Sequence, residues 1–170
     1  CFVKPAADGS SFGVSKVNNV DQLPPAVRKA MLESDEVMVE AYLKGTEITC
    51  GCYKTKKKSV VLPITEVVTN NEFFDYDAKY NGQVQEITPA RLKEDTAERV
   101  HTLTSAIYDI LGCNGIIRID YIITEGEKIN LLEINTTPGM TTTSFIPQQV
   151  RAAGLDIKDV LTDIIENKFN

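Results

Sequence analysis

Gly115-Ile116-Ile117-Arg118-Ile119-Asp120-Tyr121-Ile122-Ile123 and Lys128-Ile129-Asn130-Leu131-Leu132-Glu133-Ile134-Asn135, connected through Thr124-Glu125-Gly126-Glu127, read as two strands and a tight turn. Residues two apart on a strand share a face, so Arg118 and Asp120 point one way, and Glu133 and Asn135 do the same on the second strand. Leu132 and Ile134 are expected on the opposite face. With Gly126-Glu127 as the central pair of a two-residue turn, Glu125 faces Lys128. Counting back sets Asp120 opposite Glu133 and Arg118 opposite Asn135, with Cβ atoms roughly 5 Å apart in such pairs. Two opposed carboxylates repel unless a cation lies between them. Asp, Glu and Asn oxygens are hard ligands suited to Mg²⁺ shared with phosphates. Arg118 adds a fixed positive charge for a phosphoryl group or a developing oxyanion. The competing reading is a solvated charged hairpin face, and the apolar flanks and the Pro138-Gly139 turn weigh against it.

Upstream, Phe2–Pro5 and Val14–Val17 read as extended, with Asp8-Gly9-Ser10-Ser11-Phe12-Gly13 as a loop between them. Leu23-Pro24-Pro25 opens a helix running to Leu32, since proline costs little in a first turn. Glu36–Leu43 reads as a strand. Thr46–Tyr53 and Ser59–Val68 pair as a hairpin with Lys54–Lys58 as a solvated tip. The polar stretch Asn70–Gln85 is long for a loop without a task. Thr88-Pro89 has the form of a helix start, and Val100, Leu103, Ile107, Ile110 and Leu111 fall on one face of the helix, with His101 on its surface. A short helix follows between Ser144 and Gly154. Ile157, Val160, Leu161, Ile164 and Ile165 then mark a closing amphipathic helix. Strands and helices without regular βαβ alternation make the class α+β with antiparallel sheet.

The 170 residues carry 18 Lys and Arg against 24 Asp and Glu, a net charge of -6 that argues against a general nucleic-acid surface. No apolar run approaches the roughly 18 residues of a membrane span. The opening Cys1-Phe2-Val3-Lys4-Pro5 reads as a strand already under way, so protein missing upstream is expected. Cys50-Gly51-Cys52 lacks the C-x-x-C spacing of redox or zinc sites, and there is a single histidine. The four cysteines therefore read as small buried hydrophobes in a reducing cytosol.

Gly9-Ser10-Ser11-Phe12-Gly13 offers backbone donors after a strand, as a phosphate cradle does. It is not a Walker A loop, because Gly13 is followed by Val14-Ser15 and not by Lys-Ser/Thr. The available cation is Lys4, in the preceding strand.

In order along nearly the whole chain, several runs resemble the ATP-grasp superfamily, and within it the D-alanine–D-alanine ligase family. They are Phe2-Val3-Lys4-Pro5, Gly9-Ser10-Ser11, Gly13-Val14-Ser15-Lys16, Val39-Glu40, Gly45-Thr46-Glu47, Phe74–Tyr80, Pro89-Ala90, Gly112-Cys113, Arg118-Ile119-Asp120 and Glu133–Thr141. The resemblance implies a nucleotide between two lobes, residues 1–46 of a truncated central lobe and residues 47–170 of a C-terminal lobe with a lid at about 70–85. It implies that Glu40, the backbone near Leu43, and Glu47 hold adenine and ribose. Lys4 and Lys79 would contact phosphates, while Asp120, Glu133 and Asn135 would ligate two Mg²⁺ or Mn²⁺ ions. Ser10 and Tyr80 would position substrates and lid. Arg118 and the Gly139 backbone would stabilise a tetrahedral state, and Ser144 and Phe145 would touch the second D-alanine.

The implied reaction is ATP-driven joining of two D-alanines through an acyl phosphate, for peptidoglycan synthesis in the cytoplasm. The alternatives are another ATP-grasp ligase with a different acceptor, or a non-catalytic ATP-binding module. Ala41 stands where relatives often carry an adenine-contacting Lys, and Tyr80 favours the dipeptide over the depsipeptide product. The first-substrate domain and the homodimer surface are expected in the missing region, so the fragment alone is expected to be inactive.

Overall fold

In the computed structural model, residues 1–7, 12–69 and 84–169 are described. The chain divides into two units, and among these residues one holds 1–7, 12–44, 69 and 84 and the other holds 45–68 with 85–169.

In the first unit, β1 (Phe2–Pro5) lies between β2 (Ser15–Lys16) and β3 (Val37–Glu40), all antiparallel. Helix α1 (Leu23–Ala30) begins with Pro24 and Pro25 in its first turn, where no backbone N–H is required. It buries Ala26 and Ala30 against Val3 and Val17. The helix ends at Ala30, short of the expected Leu32, and Met31 and Leu32 are exposed because no apolar surface extends beneath them.

The second unit is built on a six-stranded sheet with the order β7-β6-β4-β8-β9 and β5 paired to β4. The strands are β4 (Gly45–Lys54), β5 (Ser59–Val61), β6 (Thr65–Thr69), β7 (Val84–Ile87), β8 (Ile116–Thr124) and β9 (Lys128–Asn135). The helices are α2 (Glu94–Ile110), α3 (Phe145–Ala152) and α4 (Ile157–Phe169). Alternation divides the sheet into two faces. Ile48, Cys50, Cys52, Ile117, Ile119, Tyr121 and Ile123 pack with Val100 and Tyr108 of α2. On the opposite face Tyr53 packs with Ile146, Val150 and Val160 of α3 and α4. The expected α+β class with antiparallel sheets is the one found. Among the described residues, no helix is long and apolar enough to cross a membrane.

Several local readings need correction. The expected Ser59–Val68 strand is two strands, because Pro63 has no N–H for a ladder. Helix α2 starts at Glu94, not at Thr88-Pro89. The Thr88 hydroxyl is instead engaged by Thr65 Oγ1 at 2.6 Å, and Ala90 N–H donates to the Ile64 carbonyl. The buried face of α2 is Thr96, Val100, Thr104 and Tyr108, whereas Ile110 is 80% exposed and Leu111 is also exposed. Polar side chains can face this core because they are paired there: Thr104 with the Tyr121 hydroxyl, and Tyr108 OH with the Gly115 carbonyl.

His101 is half-buried and is not a surface residue; burial lowers its pKa, opposed by a backbone hydrogen bond at Leu62. Lys54 is not part of a solvated tip, since its ammonium donates to Ser105 and Asp109. Cys50 and Cys52 are core residues whose thiols burial pushes up to about 12 and about 11. Cys113 is half-buried and Cys1 exposed, so the buried reading fails for Cys1.

Candidate active site

Strands β8 and β9 bring the four expected side chains together. Arg118 pairs with Asn135, and Asp120 with Glu133. The route to that register differs from the expectation. The turn is a three-residue helical loop, Glu125–Glu127, closed by Thr124 opposite Lys128. Gly126 and Glu127 both have positive φ, and the non-glycine Glu127 is held there by Lys93 Nζ and by Thr96 Oγ1 at 2.6 Å. That loop shifts the count by one residue. A bulge then shifts it back, because Tyr121 pairs with Leu131 while Asp120 pairs with Glu133, leaving Leu132 unopposed. The same bulge puts Glu133 and Asn135 on the face of Asp120 and leaves Ile129 and Ile134 packed with the α2 core.

Arg118 forms a fork on Asp120, with Nε 2.9 Å from Oδ1 and an Nη 2.8 Å from Oδ2. The same Nη lies 3.6 Å from Glu133 Oε1. The Arg118 and Asp120 side chains are 14% and 12% exposed, whereas Glu133 is 58% exposed. The Phe145 ring covers the guanidinium at 5.3 Å. Glu47, on the same face of β4, is the fourth charged group. Burial pushes its carboxyl up to about 7, aided by Asp120 and Glu133 and opposed by Arg118. Three acids thus share one arginine.

Asn135 Oδ1 accepts from Thr137 N–H at 3.0 Å. Gly139 adjoins Ser144, and a Cβ there would lie 2.9 Å from Ser144 Oγ. Ser144 precedes α3 but does not cap it, because its hydroxyl bonds Thr141 Oγ1 at 2.8 Å and accepts from Thr141 N–H. Among the described residues, no three His, Cys, Asp or Glu side chains form a metal-holding group. The donor set is two opposed carboxylates and a carboxamide, which suits an ion completing its shell from phosphate oxygens.

In the first unit, Lys4 Nζ pairs with Glu40 Oε2 at 2.7 Å, so those two expected nucleotide contacts are neighbours. Leu43 is partly exposed near the end of that unit, and the Tyr42 ring lies tilted against Phe2, centroids 5.9 Å apart, under the Lys16 ammonium. Ser10, Lys79, Tyr80 and most of the Asn70–Gln85 loop lie outside the described residues.

Sequence reasoning missed Gln149 of α3, whose buried amide is bonded into β4. Its only signal was position, four residues after Phe145 and therefore on the same helix face.

A family model described as the D-ala D-ala ligase C-terminus matches residues 1–166. The D-alanine–D-alanine ligases of Phocaeicola vulgatus and Bacteroides fragilis are 79% and 77% identical over 99% of this chain. The chain spans about half the length of those curated relatives, 52% in both cases. Among solved structures, the VanG D-Ala:D-Ser ligase of Enterococcus faecalis superposes with a TM-score of 0.84 at 32% identity. That match covers 98% of this chain and 48% of the other. The Bacillus anthracis D-alanine–D-alanine ligase complexed with ATP gives 0.79 at 32% identity, covering 99% and 52%.

Proposed function

This chain belongs to the D-alanine–D-alanine ligase family and carries its ATP-grasp fold, and on that footing we propose that it is the nucleotide-handling part of a ligase joining two D-alanines. The observation that carries the proposal is the cluster of Glu47, Asp120 and Glu133 around Arg118, an excess of negative charge that binding of a cation relieves. In the proposed reaction ATP phosphorylates the carboxylate of one D-alanine, giving ADP and an acyl phosphate. The amine of the second D-alanine attacks, and phosphate leaves.

Lys4 and Lys79 meet the phosphates, and Glu40, the Leu43 backbone and Glu47 hold adenine and ribose. Asp120, Glu133 and Asn135 would hold two Mg²⁺ or Mn²⁺ ions, whose chemistry is to neutralise charge during phosphoryl transfer. Arg118 and the Gly139 backbone would stabilise the tetrahedral state. Ser144 and Phe145 contact the acceptor. Ser10 and Tyr80 orient substrates beneath the loop of about 70–85, which keeps water from the acyl phosphate. The proposal sets the whole ligase in the cytoplasm, as a homodimer formed by residues outside this chain.

The test uses the whole ligase containing this chain, offered ATP with D-alanine, D-serine or D-lactate, with phosphate release and chromatographed products as readouts. D-alanyl-D-alanine is the expected product. Phosphate release that requires D-serine or D-lactate, with none from D-alanine, would replace the acceptor; ATP binding without turnover of any of the three would leave only a binding module.

A further inference from the structure

Strand β4 is paired to β8 without a break on one side, from Gly45 opposite Thr124 to Tyr53 opposite Ile116. On the other side β6 covers Glu47–Thr49 and β5 covers Cys52–Lys54. Between them the ladder has a gap at Gly51. Leu62 N–H reaches the Gly51 carbonyl at 2.8 Å, and the Gly51 N–H, beyond the end of the β6 pairing at Thr49 opposite Thr65, is met by a side chain. That side chain also reaches back to β4 and β6. Gln149 Oε1 accepts from Gly51 N–H at 2.9 Å, and Nε2 donates to the Thr49 carbonyl at 3.0 Å and to Thr65 Oγ1 at 3.1 Å.

The amide therefore stands in for a missing ladder residue, fully enclosed and bonded at both of its polar atoms. Helix α3 comes so near that Gly51 has no room for a side chain. A Cβ there would lie 2.6 Å from Ile146 Cδ1 and 2.8 Å from Gln149 Oε1. Gln149 and Phe145 are four residues apart, on one face of α3. The first is bonded to the sheet, and the second lies on the Arg118 guanidinium. Ser144 directly precedes that helix.

We infer that Gln149 is a positioning residue for the acceptor side of the site: its amide sets the height and rotation of α3, and through Phe145 and Ser144 the placement of Arg118 and of the second substrate. The inference rests on the ligase reading for its kinetic consequence, but not for its structural one. A leucine would fill the same space without fixing the helix, because dispersion contacts tolerate sliding and rotation that three directional bonds forbid.

In the whole ligase, Gln149→Leu is expected to raise the KM for acceptor D-alanine by ~10–100-fold, the scale of a misplaced reacting group. Hydroxylamine trapping of the acyl phosphate and the KM for ATP should stay within about twofold, below what a single lost hydrogen bond produces. The ring-current shift that Phe145 imposes on the Arg118 Nε–H resonance should shrink. Equal losses in donor step, ATP affinity and acceptor KM would mean a merely structural role and overturn the inference; so would an unchanged Arg118 resonance.

Should the leucine variant fail to fold, Gln149→Glu decides. Protonated, its carboxyl can donate to the Thr49 carbonyl; ionised, it can only accept. Its acceptor KM should approach that of the unaltered enzyme near pH 6 and depart from it by pH 8.5. A constant ratio across that range would overturn the inference. If the unaltered enzyme makes no dipeptide, the ligase reading falls, and the Arg118 resonance still decides the role of Gln149.

Discussion

Two arginine–carboxylate forks lie in the same unit, and they are built to opposite ends. Arg91 grips Glu66 through Nε at 2.9 Å and an Nη at 2.7 Å, and its backbone N–H adds a third bond. The Arg91 side chain is 64% exposed and Glu66 only 10%. One acid meets one base, and the hydrogen bonds from Arg91 hold the Glu66 carboxyl below its ordinary range. The fork of Arg118 on Asp120 has the same geometry, but Glu133 and the raised carboxyl of Glu47 stand beside it. A balanced pair fastens the segment after β7 to β6. An outnumbered arginine marks a place where further positive charge is wanted. Geometry alone would not have separated the two; the charge count does.

The comparison breaks most sharply at Asp120. In the whole ligase, Asp120→Asn should lower turnover by ~100-fold or more, the scale of removing a charge-stabilising group. Phosphate release is the measurement, and unchanged turnover would make the two forks equivalent.

Glu47→Gln sharpens the contrast through pH. The folded chain holds the Glu47 proton until about 7, whereas the unfolded chain releases it near 4.5. The native state therefore binds more protons between those values, and unfolding free energy falls as pH rises across them, by at most about 3 kcal/mol. Denaturant titrations of the metal-free protein at pH 5 and 7.5 should show that loss, and the glutamine variant should lack it.

The smallest effect belongs to the balanced fork. Arg91→Met should lower the melting temperature by about 2–5 °C at pH 7, with turnover within about twofold at permissive temperature, as expected for a pair remote from the chemistry. Because the Glu66 pKa is depressed, its stabilisation is present above the ordinary carboxylate pKa and lost as pH falls through the lowered one. The gap between variant and parent should accordingly close in acid.

Much of this was legible in the sequence, but not always for the reason given. The facing of Asp120 and Glu133 was inferred from a two-residue turn that does not exist, and an unforeseen bulge restored the count. The signal for that bulge was present as the Leu131-Leu132 doublet, which interrupts strict alternation between Ile129 and Ile134. The inner face of α2 was read in part: Val100, Leu103 and Ile107 do pack on the core, but Thr96 and Thr104 score as polar, and the hydroxyls and carboxylates that satisfy them come from distant segments. Ile110 looked like core, yet the helix has run past the sheet by then. Gln149 was invisible for the same physical reason: a helical glutamine reads as a surface residue unless the gap it fills is known. Pattern shows what a residue prefers, and partners decide where a polar one can be buried.

The bulge at Leu132 also governs which insertions and deletions the hairpin can inherit. Strand β9 carries one residue more than β8 between the turn and the carboxylates. A codon lost from β9 at Leu132 straightens the ladder and leaves Asp120 facing Glu133. A codon gained there doubles the mismatch and must either bend the strand further or turn the acids toward the α2 core. Strand β8 has no such freedom, because it is also paired without a break to β4, from Gly45 opposite Thr124 to Tyr53 opposite Ile116.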